Sequence, residues 1–122
     1  MKLNLGRMGD FIPTWEGNDK LPENEQIKVS YTRISGQMSS RVVRVSSDET
    51  GYIDYPYIVQ KCVTKIDNLK DENNGNIDTA QKLLDNVGTA GLVTEVGLHI
   101  LNDSKLPDGD QKKNTDSVAL VQ

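Results

Sequence analysis

The chain holds few of the residues on which catalysis, metal binding or membrane anchoring is usually built. Cys62 is the only cysteine in 122 residues, so no disulfide can close within the chain. His99 is the only histidine, which excludes a histidine-rich zinc site built from one copy. Phe11 is the only Phe and Trp15 the only Trp, and aromatic residues make up 5% of the chain. No apolar run approaches the roughly 18 residues that a membrane span needs. The opening MKLNLGRMGDF has no apolar segment of the secretory kind, so a protein of the cytosol, or of an assembly built there, is expected. Neither a GxxxxGK nor a GxGxxG loop is present to cradle a phosphate.

What is present is polar and unevenly charged. Hydrophobic residues are 35%, charged residues 26%, and mean hydropathy is −0.55, which fits one small domain with polar margins. The net charge is −4 and the pI near 4.9, against recognition of nucleic acid or an anionic membrane by bulk electrostatics. Residues 1–46 carry 7 Lys/Arg and 5 Asp/Glu, and residues 47–122 carry 7 and 13. The resulting +2 head and −6 body read as solvated surface, with self-association between copies as the alternative.

The chain divides into an extended arm (1–26), an α+β domain (27–104) and a polar tail (105–122). Leu3 and Leu5 alternate with polar residues, as in a short edge strand or an ordered tail. Phe11-Ile12-Pro13-Thr14-Trp15 is extended at Ile12 because Pro13 follows it. Phe11 and Trp15 either anchor this arm on the core or reach a neighbouring copy. Gly17-Asn18-Asp19 supplies a turn. Alternation over Ile27–Thr32 predicts a strand over about 27–34, with Ile27, Val29 and Tyr31 inward. Arg41-Val42-Val43-Arg44-Val45-Ser46 predicts a second strand over 41–46, paired with the first as a hairpin across Gly36–Ser40.

Three helices are expected next. Asp54 caps the first, over about 54–70, with Pro56 in its first turn. Tyr55, Ile58, Val59, Cys62, Ile66 and Leu69 then form one apolar stripe at helical spacing. Asp78 with Gln81 gives capping-box spacing for a helix over about 78–87, whose apolar face is Ala80, Leu83, Leu84 and Val87. Gly88 follows at a position favouring positive φ. Thr89 caps the last helix, about 89–103. Its stripe is Leu92, Val93, Val96 and Ile100, while Leu98 and Leu101 lie off that stripe. In the tail, Val118-Ala119-Leu120-Val121 reads as part of a free segment, or as a strand for a partner's sheet edge.

The polar loop Lys70–Asp78 has Gly75 and Ile77 in calcium-loop register, but Lys70 and Gln81 stand where anionic ligands are required, so no metal site is expected. Asp108-Gly109-Asp110 reads as a turn. His99 lies one helical turn from Asp103 and reads as a hydrogen-bonded structural histidine. Cys62 reads as a small buried hydrophobe, and the two form no known nucleophile motif. No catalytic residue and no cofactor is expected. The surface for a partner is expected to draw on Leu98, Leu101, Phe11, Trp15, Val118, Leu120 and Val121.

Several phrases carry a resemblance. They are Phe-Ile-Pro-x-Trp-x-Gly-Asn with Leu-Pro-Glu-Asn-Glu-Gln (11–26), Ile-Lys-Val-x-Tyr-x-Arg (27–33) and Cys-Val-x-Lys-Ile-x-Asn-Leu (62–69). Ile-Asp-Thr-Ala-x-x-Leu-Leu (77–84) and Gly-Leu-Val-x-Glu-Val (91–96) follow. Their order resembles bacteriophage tail assembly chaperones and related minor tail proteins of long-tailed phages. The resemblance implies a non-enzymatic role, binding tail-tube or tape-measure subunits before the tail polymerises in the host cytoplasm. A virion subunit, such as a tail-completion or connector protein, is the alternative, and a small acidic ion- or ligand-binding module is the second. No site residue carries over, because the resembling positions read as core.

Overall fold

The computed structural model describes residues 6–46 and 53–104. The expectations for Leu3, Leu5 and the segment 105–122 lie outside them. The fold is α+β, with an N-terminal antiparallel strand pair packed against several helices. Strand β1 (Met8–Phe11) pairs with β2 (Lys28–Thr32), and β3 (Val63–Asp67) pairs with the other side of β2. Among the described residues the α-helices are α1 (Gly36–Ser46) and α2 (Tyr55–Cys62), between β2 and β3, and α3 (Ala80–Asp85) and α4 (Ala90–Asp103), after β3.

Strand β2 behaves as its alternation predicts. Ile27, Val29 and Tyr31 are buried, while Lys28 is exposed and Ser30 and Thr32 are half-buried. Its hairpin partner is not 41–46 but β1, in the register Met8↔Thr32 to Phe11↔Val29. Gly9 lies opposite Tyr31, and a Cβ there would stand 2.6 Å from the tyrosine oxygen. The absent side chain lets the Tyr31 ring lie over the edge strand.

Residues 41–46 are helical, correcting the second predicted strand. The β-branched run gives way to a local start signal and to packing. Ser35 Oγ accepts from Met38 N–H at 3.2 Å, Met38 is half-buried, and Val42 one turn on is buried, so one face of α1 reaches the core.

The helix expected over 54–70 also divides. Asp54 caps α2 as predicted, accepting from Tyr57 N–H at 3.1 Å, and Pro56 lies in the first turn. The helix ends at Cys62, and the chain enters β3 without a loop. The pairing runs Val29↔Ile66 and Ser30↔Lys65, then jumps to Tyr31↔Val63, so Thr64 is an extra, bulged residue. Val63 and Ile66 are both buried although three apart. Cys62 closes α2 in the core and Ile66 is buried four residues on, so the helical step of the predicted stripe survives the change of element.

The remaining caps shift by small amounts. Thr79, not Asp78, caps α3, accepting from Lys82 N–H at 3.2 Å, while Asp78 pairs with Lys82 Nζ at 3.1 Å. Helix α3 stops at Asp85, so Val87 leaves the predicted apolar face and is 99% exposed. Gly88 has the expected positive φ, 89°. Thr89 precedes α4 but caps nothing; its hydroxyl meets the carbonyls of Leu83 (2.9 Å) and Asn86 (3.1 Å).

Helix α4 is the centre of the core. Leu92, Val93, Val96, Gly97, Ile100 and Leu101 are buried. It packs closely on α2 at Gly97, where a Cβ would stand 2.8 Å from Tyr55 Cβ. Among the described residues no helix is long and apolar enough to cross a membrane.

Candidate functional site: two rows of helix α4

Gly91, Glu95, His99 and Asp103 recur every four residues, so they form one row along α4. The N-terminal arm lies along that row. The Trp15 indole covers Gly91, where a Cβ would be 3.4 Å from Cδ1 and Nε1. Thr14 donates its N–H (2.7 Å) and its hydroxyl (3.0 Å) to Glu95 Oε2. Phe11 stacks on His99 with ring centroids 3.9 Å apart and planes 10° from parallel. Phe11 and Trp15 are thus half-buried on their own chain, the anchoring reading of the arm.

The row ends in a polar cluster. The Tyr31 hydroxyl donates to Asp103 Oδ2. A phenol has one proton, so its oxygen accepts from His99 Nε2–H, 3.0 Å away, which assigns the neutral Nε2 tautomer. Arg33 Nε lies 2.8 Å from the same carboxylate oxygen, but off the line of its N–H, so the contact is an ion pair rather than an aligned hydrogen bond. Arg33 Nη1 reaches on to the carbonyls of Gly6 (3.1 Å) and Met8 (2.5 Å). One guanidinium therefore ties α4 to the edge strand.

Burial and the contacts within the cluster shift each of its groups away from its ordinary pKa. Burial and the bond to Asp103 push the Tyr31 phenol well above its ordinary value, so it stays neutral. Burial lowers His99 despite the Asp103 carboxylate, holding the ring neutral. Burial raises Asp103, but the Tyr31 hydrogen bond and the Arg33 cation outweigh it and keep the carboxyl below the usual range. Cys62 is buried and its thiol is pushed up to about 11, mainly by burial; the polar partner of His99 is Tyr31, not this thiol.

The acidic loop is occupied by its own backbone. Asp71 Oδ1 accepts from Asn73 N–H (2.9 Å) and Gly75 N–H (2.8 Å), and Lys70 Nζ donates to Asn76 Oδ1 (3.2 Å). Among the described residues no three His, Cys, Asp or Glu side chains gather where a metal ion could be held.

The neighbouring row of α4 faces outward. Ala90, Thr94, Leu98 and Asn102 are exposed, Leu98 by 42%. Leu101 is buried at 8%, so of the two residues off the predicted stripe only Leu98 is on the surface. Thr94 and Ala90 line a groove whose other walls include Pro56, Tyr57, Leu84 and Val93. Val87, 99% exposed, lies in sequence between the lining residues Asn86 and Gly88. The sequence pattern missed Val87 because it seemed to close the α3 face. The only available signal was the Asn86-Val87-Gly88 turn chemistry. Val118, Leu120 and Val121 lie outside the described residues. No family model, curated protein or solved structure matches this chain.

Proposed function

We propose that this chain is a non-enzymatic protein-binding module acting in the assembly of a long-tailed phage, with tail-tube or tape-measure subunits as its partners. The phage context rests on the sequence resemblance. The binding reading rests on one structural observation: two adjacent rows of α4 have opposite fates. The row with ionisable side chains is engaged by the chain's own arm, while the next row lines a groove through Ala90 and Thr94 and exposes Leu98, with Val87 exposed in the turn before the helix. An apolar groove rimmed by polar residues suits a partner's side chains better than it suits catalysis. Co-expression with tail-tube and tape-measure proteins, followed by pull-down, tests this. Capture of either protein is expected, and failure to capture any morphogenesis protein overturns the proposal. Mass spectrometry of purified particles then separates an assembly factor, absent from them, from a virion subunit present in fixed copy number.

A further inference from the structure

The loop between β3 and α3 contains the one Asn-Gly dipeptide of the chain, Asn74-Gly75, and both residues are exposed. Such a pair is chemically labile because glycine leaves its backbone nitrogen unshielded beside the asparagine amide. The labile atom is not idle here. Gly75 N–H donates to Asp71 Oδ1 at 2.8 Å, and Asn73 N–H donates to the same oxygen at 2.9 Å. Asn74 N–H bonds Asp71 O (3.0 Å) and Asp71 N–H bonds Gly75 O (2.8 Å), closing the loop on both sides. Asn74 is held in the left-handed region at φ 64°.

We propose that Asn74 is a spontaneous deamidation site restrained by the Asp71 carboxylate, so that opening of this loop, rather than access of water, sets its rate. The Gly75 nitrogen loses its proton to solvent base and attacks Cγ of Asn74. The N–Cγ bond forms, the Cγ–Nδ2 bond breaks, and ammonia leaves with the proton it needs. Water then opens the cyclic imide at either carbonyl, giving aspartate or isoaspartate and one added negative charge. A carboxylate bonded to Gly75 N–H opposes the first step twice. It disfavours a developing negative charge on that nitrogen, and it holds the very N–H proton that the attack must lose.

The test is peptide mass mapping of the folded full chain, incubated in mildly alkaline buffer, for wild type, Asp71→Ala and Asp71→Asn. Deamidation at Asn74 is expected about tenfold faster in Asp71→Ala, the ratio for loss of one charge-assisted hydrogen bond. Asp71→Asn, which keeps a neutral acceptor, is expected in between, and all three should converge in urea. An equal or slower rate in folded Asp71→Ala overturns the proposal; a slower one would mark Asp71 as a base that promotes the attack. Reaction at another asparagine, or rates that still differ in urea, also overturns it. If Asp71→Ala melts below the incubation temperature, Asp71→Asn decides alone: faster than wild type supports the restraint, equal or slower refutes it.

Discussion

Asn18 is 3% exposed, and its amide meets three backbone groups: it donates to Pro13 O (2.8 Å) and Ile27 O (3.1 Å) and accepts from Ile27 N–H (2.6 Å). These bonds fasten the arm to the entry of β2. Asn18→Ala would strand buried backbone groups, and a loss of about 2–3 kcal/mol is expected in urea unfolding. Asn18→Asp, which turns a carboxylate oxygen toward those two carbonyls in a buried site, should lose at least as much. The sequence shows Gly17-Asn18-Asp19 as turn chemistry, because local pattern carries no information about a partner nine residues away. His99 was read as a hydrogen-bonded histidine near Asp103, and its partner is the Tyr31 hydroxyl, which in turn bonds Asp103. Burial depresses the His99 pKa, so the unfolded chain binds the extra proton first. Its contribution is therefore complete above the ordinary histidine pKa of 6.5 and falls as pH drops through that value toward the lower folded one. Thermal melts should show a lower midpoint at mildly acidic than at mildly alkaline pH. In His99→Gln that difference should shrink across the same window, and an unchanged slope would remove His99 as its source.

At the level of elements, the errors share a cause. The pattern over 62–69 is helical in period because Cys62 at the end of α2, Ile66 in β3 and Leu69 beyond it all turn to the core at four- and three-residue steps. The pattern over 41–46 is β-branched, yet one turn of packing through Met38 and Val42 decides for helix. Periodicity reports which residues are buried, and two geometries can bury the same set. What was legible was the burial of most predicted core residues: Ile27, Val29, Tyr31, Ile58, Val59, Cys62, Ile66, Leu92, Val93, Val96 and Ile100 lie in the core, while Val87 is exposed and Leu101 buried against expectation. Thr64 separates the two geometries by the sign of one substitution. In a helix Thr64→Ala would stabilise by a few tenths of a kcal/mol or more. In β3 it removes a β-branched side chain whose hydroxyl donates to Ser30 O at 3.1 Å. A loss of about 0.5–1 kcal/mol is expected from denaturant melts.

For the whole molecule, α4 serves two surfaces that differ only by their row. The arm side was only half legible, because Phe11 and Trp15 stood out as lone aromatics while their seats on His99 and Gly91 depend on the tertiary fold. The exposed side was legible at Leu98 and misleading at Leu101. This division predicts that stability and binding separate by mutation. Phe11→Ala with Trp15→Ala removes two half-buried rings from the arm, and should lower unfolding stability by about 2–4 kcal/mol. Val87→Asp with Leu98→Asp places charges on exposed positions, where surface substitutions shift stability by about 0.5 kcal/mol or less. The second pair should nevertheless abolish capture of a tail-tube or tape-measure partner, since a charge in a desolvated contact has no compensating group. Denaturant melts and pull-down on both double variants give the two readouts independently. If Val87→Asp with Leu98→Asp melts like the parent and still captures its partner, the outward row of α4 is not the binding face. The groove beyond it, walled by Tyr57 and Leu84, would then have to be tested by itself.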